Sequence, residues 1–353
     1  MQNFFRIKNN FNVKEYHSIL CKKFPEFLKK YIQVPCVRRL SGVGLLCGTD
    51  WTALYKNRFF YSRLDHSIGC ALITWNFTKD KVQTLSSLFH DIATPCFSHV
   101  GDFRKGDALT QTACENGTEK IIRSSKELQS LLKQDGIKTE DVSDYHKYPI
   151  CDNEIPFLSA DRLEYMFPSG AALHGVWSLK QIKKVYSCVK VLKNEEGQAE
   201  LGFSCKKAAL EYFRKFLKTS HLLQLNENKL TLQLLCEICN LAVKQKIVTE
   251  EDFFNLSEKE VIELFKNVQN AEFKKLFNTF LNMKKVLHTF SPVKDSFCVN
   301  LKVKLRYINP LVEQKDGTAI RLSEVSKFAK KSITRFLNFK DTPYGCVKFI
   351  SIK

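Results

Sequence analysis

Across residues 63–77, Ile68, Ala71, Leu72 and Trp75 recur at the three-and-four spacing of one helix face, which predicts a buried helix. Residues 79–92 repeat the pattern with Val82, Leu85, Leu88 and Phe89. Pro95 closes that stretch, and Thr94-Pro95 reads as the N-cap and first position of a short new helix. Ser124 with Glu127 forms a capping-box pattern for a helix that Gly136 ends. Residues 139–158, with Pro149 and Pro156, read as irregular and partly extended. A short helix is expected over 159–167, stopped by Pro168, and a longer one from 178 to about 191. Two apolar runs, 190–192 and 199–204, flank 193–198 as a hairpin, and 205–290 is again helical and Lys-rich. The tail changes character. Residues 299–307 alternate apolar and polar without a break, as a half-buried strand does, before a helix over 322–337 and a last strand over 346–352. The pattern predicts a mainly α body with a small C-terminal α+β appendix packed on it.

Composition narrows the class. The 353 residues are 44% hydrophobic and 26% charged, the balance of an ordinary globular protein. No apolar run reaches the ~18 residues of a spanning helix, so no membrane segment is expected. The first ten residues lack an apolar signal core, and a cytoplasmic chain is expected. Lys and Arg number 55 against 37 Asp and Glu, a net +18 that favours polyanionic partners. The basic residues are scattered pairs, and neither an RNP-type aromatic motif nor an Arg-rich tract supports nucleic acid. The 13 cysteines, an odd number without an export signal, read as reduced thiols. Cys236 and Cys239 share one helix face and read as core packing, since no second pair completes a zinc site. The glycines at 42, 44 and 48 lack dinucleotide-fingerprint spacing and read as a turn or packed loop.

Three histidines, His66, His90 and His99, fall close together, and Asp91 follows His90 at once. Asp161 opens a later helix. Imidazole with carboxylate makes a borderline-hard site for Mn, Mg, Fe, Zn, Co or Ni. His66 from one helix, His90 and Asp91 from the end of the next, and Asp161 from a third would hold one ion inside a bundle and leave positions open for water. On spacing alone, a His-Asp dipeptide is as readily a surface turn or a helix end.

The flanking residues add to this. Tyr61-Ser-Arg-Leu-Asp-His-Ser-Ile-Gly, Leu88-Phe-His-Asp-Ile-Ala-Thr-Pro-Cys-Phe-Ser-His-Val-Gly-Asp102 and Ser159-Ala-Asp-Arg-Leu-Glu-Tyr together resemble the HD-domain phosphohydrolase superfamily. Within it the deoxynucleoside triphosphate triphosphohydrolases look most similar. The likeness covers roughly residues 35–190 and continues more loosely to about 245. It implies an HD-domain helical bundle with an N-terminal extension over 1–190, a helical extension with a hairpin over 191–290 and the appendix over 291–353. It further implies a divalent metal on His66, His90, Asp91 and Asp161, phosphate and sugar contacts from Arg63, Arg162 and Tyr165, and a general acid/base pair of His99 and Asp102. An acid beside His99 is expected to raise its pKa towards neutrality. The chain departs from the family pattern at Thr94 and Cys114, where histidines are usual, and at Ser169, where an acid is usual.

The resulting expectation is a metal-dependent phosphohydrolase acting on a nucleotide or related phosphoester, of which a dNTP is one candidate. The alternative is a catalytically weak HD module that binds nucleotide or nucleic acid as a regulator. A homo-oligomer is compatible with either, because the 299–307 strand could pair internally or across subunits.

Overall fold

The structure is a computed structural model describing residues 11–111 and 117–350. Cys114 lies outside the described residues. The architecture is mainly helical with two small sheets.

The helix Arg63–Thr78 runs through the middle of the body, and ten of its residues are buried. Ser62 accepts from the Asp65 N–H while Asp65 reaches back to the Ser62 N–H, a capping box that fixes where the helix starts. Asp80 caps the next helix, Lys81–Phe89. The helices Val13–Leu20 and Ala160–His174 pack against Arg63–Thr78.

Pro168 was expected to stop the 160s helix, yet that helix continues to His174 and ends at Gly175 with φ +66°. A proline inside a helix leaves the carbonyl four residues back without its N–H donor. Here that carbonyl is Glu164, and the Tyr16 hydroxyl donates to it at 3.4 Å. Tyr212 OH also donates to carbonyls of this helix, those of Arg162 and Leu163. A tertiary donor, Tyr16, serves the carbonyl that the proline frees.

Other boundaries shift for similar reasons. The helix expected from Thr94-Pro95 starts only at Val100 and runs to Arg104. Phe97 and Ser98 hold left-handed φ values of 62° and 54°, which a right-handed helix cannot contain. Ser125, not Ser124, caps Lys126–Gln134. Leu179–Tyr186 ends before residue 191, because Val189–Lys193 is strand β1, paired antiparallel with β2, Ala199–Phe203. Leu322–Val325 and Lys327–Leu337 are two helices divided at Ser326, whose side chain caps the second.

The remaining strands are β3 (Leu287–Thr289), β4 (Ser296–Val299), β5 (Leu311–Glu313), β6 (Ala319–Arg321) and β7 (Tyr344–Lys348). One sheet has the order β1-β2-β5-β6, with β2 and β5 parallel, and the other is antiparallel in the order β3-β7-β4. The tail strands therefore pair with strands from earlier in the chain. The unbroken strand expected over 299–307 is absent: β4 ends at Val299, and 300–310 has no ladder partner. Val303 is buried, and Val303, Lys304 and Arg306 all border one cavity.

Two apolar clusters make up the core. One gathers the helices up to Phe216 with Ile308 and Val312 of the tail. The other joins Phe97, Val100 and Phe103 to residues 230–286, including Cys236 and Cys239, whose buried thiols have raised pKa values as core packing requires. The Ser41–Gly48 stretch is a packed loop, as expected, with Gly44 N–H on Glu258 Oε1 at 2.8 Å. The cysteines are not all free thiols: Cys298 and Cys346, opposite one another on β4 and β7, form a disulfide. Among the described residues, no helix is long and apolar enough to cross a membrane.

Candidate metal centre

Four side chains meet between the three helices. His66 lies in the first turns of Arg63–Thr78, His90 at the C-cap of Lys81–Phe89 with Asp91 next to it, and Asp161 in the first turn of Ala160–His174, which Ser159 caps. His66 Nε2 is 3.1 Å from His90 Nε2, 3.1 Å from Asp161 Oδ1 and 3.6 Å from Asp91 Oδ2. His90 Nε2 is 3.5 Å from both Asp91 Oδ2 and Asp161 Oδ1. Metal–ligand bonds of about 2.1 Å put adjacent donors about 3.0 Å apart in an octahedron and about 3.4 Å apart in a tetrahedron. The separations of 3.1 to 3.6 Å around the two imidazoles are close to these edges.

The hydrogen-bonding of the rings strengthens the case. His90 Nδ1 lies 2.7 Å from the Ser87 carbonyl, which can only accept, so Nδ1 carries a proton. His66 Nδ1 lies 2.6 Å from Glu164 Oε2, a fully buried carboxylate. In their neutral forms both rings therefore aim an Nε2 lone pair at the same point. Two lone pairs 3.1 Å apart with two carboxylates around them need a positive charge between them, and a divalent cation or protons could supply it. Burial opposes charge on the imidazoles, but Cys70, Asp161 and Glu164 at His66, and Asp91 and Asp161 at His90, outweigh it and raise both pKa values. Burial likewise disfavours charge on Asp91, but Arg63 and the two histidines win and hold its carboxyl well below the usual range. Metal and proton thus compete for one set of lone pairs. The donor set fits a divalent ion.

Cys70, one helical turn after His66, also borders the cluster, with Sγ 3.6 and 3.7 Å from the His66 ring nitrogens. With His66, His90 and Asp161 it forms a second donor set that could hold an ion, and burial raises its thiol pKa in the absence of one.

The remaining expected residues are placed as follows. Arg63 is buried, with Nη1 on Asp91 Oδ2 at 2.7 Å and Nε on Ser98 Oγ at 2.9 Å. Ser98 Oγ in turn donates to the Gly44 carbonyl, and Glu258 Oε1 accepts the N–H of Phe97 and of Gly44. This network holds the left-handed turn that presents His99. His99 Nδ1 sits 2.9 Å from Asp102 Oδ2, so the two do pair. The expected rise in the His99 pKa is not found: burial outweighs the Asp102 hydrogen bond, Arg63 and Arg306 add to it, and the imidazole is lowered to about 4. The Arg162 guanidinium donates to Asn153 Oδ1, Asp152 Oδ1 and the carbonyls of Phe157 and Asn153, which ties down the 152–157 loop. The Tyr165 ring stands edge-on to His66, with centroids 6.5 Å apart.

All nine expected site residues except the fully buried Asp102 line one cavity of about 180 Å³. One end carries the His66, His90, Asp91 and Asp161 cluster with Arg63 and His99, and the remaining wall mixes aliphatic residues, among them Leu45, Leu232 and Val303 from the two apolar clusters, with polar ones such as Tyr55, Asp152, Asn228 and Lys304. Ser169 lines it, whereas Thr94 donates to Asp91 Oδ1 at 2.9 Å. Glu164, Gln111 and Arg306 went unnoticed in the sequence. Glu164 could have been found within the Asp161 motif, three residues on; Arg306, from an irregular tail segment, left no local signal.

No protein-family model matches the chain. It is 27% identical over 142 residues to the uncharacterized protein YdhJ of Bacillus subtilis (strain 168), a match covering 39% of this chain and 41% of that protein, so the chain spans well under half the length of that relative. Among solved structures it is similar to a hypothetical protein from Aquifex aeolicus, with TM-score 0.62, 17% identity and 92% of both chains covered. It is also similar to a phosphohydrolase from Bacteroides thetaiotaomicron VPI-5482, with TM-score 0.60, 14% identity, and 92% of this chain and 97% of that one covered. The chain shares its fold with these two proteins.

Proposed function

We propose that this chain is a metal-dependent phosphohydrolase of the HD type, acting on a nucleotide or related phosphoester. The carrying observation is the convergence of His66 Nε2, His90 Nε2, Asp91 Oδ2 and Asp161 Oδ1 with both Nδ1 protons committed elsewhere. The fold shared with a phosphohydrolase supports the reading. Held by these four residues, a divalent ion would supply Lewis acidity towards a phosphoryl oxygen and water acidic enough to deprotonate near neutral pH.

The rest is protein chemistry. His99, neutral and oriented through Nδ1 by Asp102, offers Nε2 as a base towards the cavity. Arg63 keeps Asp91 ionised and adds positive charge to the wall that a phosphate would face. Tyr165 borders the ligand cluster as a contact for the remainder of the substrate, and Arg162 acts through the loop it holds. The aliphatic stretch of the cavity wall suits the less polar part of a phosphoester. A triphosphate substrate has the weakest support, since Thr94 is turned onto Asp91. The absence of the family's usual histidines at Thr94 and Cys114 motivates a second reading, a module that binds nucleotide or nucleic acid with little turnover.

The test is elemental analysis of the purified protein, followed by a screen of nucleotides and phosphomonoesters with Mn, Mg, Fe, Zn, Co and Ni. Bound metal and phosphate release that vanishes in His90→Ala and Asp91→Ala are expected. Undiminished release in both variants would refute the enzyme reading, and ligand-dependent thermal stabilisation without product would favour the module.

A further inference from the structure

The two arginines to which the sequence pointed for phosphate are already engaged. Arg63 is paired with Asp91 and Ser98, and Arg162 is consumed by the 152–157 loop. A third guanidinium reaches the cavity, that of Arg306 from the ladder-free segment 300–310. It donates to Gln111 Oε1, and its Nη2 lies 3.5 Å from His99 Nε2. Among the described residues it has no carboxylate partner. A half-buried guanidinium without an anion is a site waiting for one, and its planar fork matches phosphate oxygens.

The segment is held, not loose. The Lys304 N–H donates to the Ala108 carbonyl at 3.3 Å, Gln224 Nε2 donates to the Lys304 carbonyl at 2.8 Å, and Val303 and Ile308 are buried on either side. Such anchoring pre-organises the side chain, so that little ordering is left to do on binding.

Resting on the phosphohydrolase reading, we infer that Arg306 binds the phosphate group of the substrate beside His99, so that the C-terminal segment completes the site. A phosphate oxygen replaces Gln111 and His99 as the partner of Nη2, which leaves His99 Nε2 facing the bound anion. The segment then carries substrate affinity rather than metal affinity.

The experiment compares Arg306→Gln and Arg306→Lys with the wild type, all loaded with manganese and matched for thermal unfolding midpoint. Titration calorimetry with inorganic phosphate should show about 10- to 100-fold weaker binding for Arg306→Gln and a smaller loss for Arg306→Lys. KM should rise by a similar factor with kcat changed only a few-fold, the signature of lost uniform binding. The acid limb of kcat/KM should move upward in Arg306→Gln, because of the charged groups facing His99 (Asp102, Arg63 and Arg306) one cation is gone. Manganese content should not change. Unaltered phosphate affinity in a folded Arg306→Gln would overturn the inference while leaving a hydrolysing wild type intact. Phosphate binding through Arg306 in a protein that hydrolyses nothing would sink the enzyme reading instead.

Discussion

Glu164 Oε2 lies 2.6 Å from His66 Nδ1, and both side chains are shut off from solvent. The other Glu164 oxygen takes a 2.7 Å hydrogen bond from Tyr61 OH. Gly69 makes the space: a Cβ there would sit 2.4 Å from Glu164 Oε1 and 2.7 Å from its Cγ. A carboxylate behind a ligating imidazole fixes ring orientation and strengthens the donor.

Glu164→Gln should therefore weaken metal binding about 10- to 100-fold, without removing a ligand. Gly69→Ala should do the same by pushing Glu164 aside. Competition with a fluorescent chelator measures both, and wild-type affinity in either variant would deny Glu164 that role.

Asp161→Ala removes one of four donors and leaves two buried imidazoles facing each other. Metal content should drop from stoichiometric to trace, and phosphate release should fall ~100-fold or more, as expected when Lewis-acid stabilisation worth several kcal/mol is lost. Inductively coupled plasma analysis and a phosphate assay on the same preparation check the two together.

Burial, with Arg63 and Arg306 nearby, lowers the His99 imidazole to about 4 against the pull of Asp102. It should be a competent base from about pH 5 upward, and an acid limb in kcat/KM near pH 4 should disappear in His99→Asn. A limb near 6.5 that vanishes in that variant would show the ring to be less shielded. The unfolded imidazole titrates near 6.5, so between 6.5 and 4 the unfolded chain binds the extra proton. The stability associated with neutral His99 is thus complete above 6.5 and is lost as pH falls towards 4. Urea midpoints at pH 7 and 5, in wild type and His99→Asn, measure it.

Arg321 on β6 makes a two-pronged pair with Glu200 on β2, at 2.7 and 2.9 Å, and both side chains are almost fully buried. Glu200 also accepts the Leu158 N–H, next to the cap of the Asp161 helix. Arg321→Met should cost about 3–5 kcal/mol by stranding a buried carboxylate. Replacing Glu200 by Leu as well should recover most of that, and equilibrium urea unfolding of the two variants decides it.

The local pattern was enough to find the three helices behind the site, because periodic apolar positions are a property of neighbouring residues. His66, His90, Asp91 and Asp161 were legible as a set because the motifs around them resemble those of a family, spacing alone leaving a surface turn or a helix end equally open; the structure brings the four side chains to one place. Four features were decided only in three dimensions: the continuation of a helix through Pro168, the left-handed turn before His99, the depressed His99 pKa and the arrival of Arg306. Each depends on a group far along the chain: Tyr16 for the freed carbonyl, Glu258 for the turn, and the 300–310 segment for the guanidinium, which also helps to lower the His99 pKa. Local sequence sets backbone preference and hydrophobic face. Which distant donor, acceptor or charge meets a given atom is fixed only when the packed core closes around it.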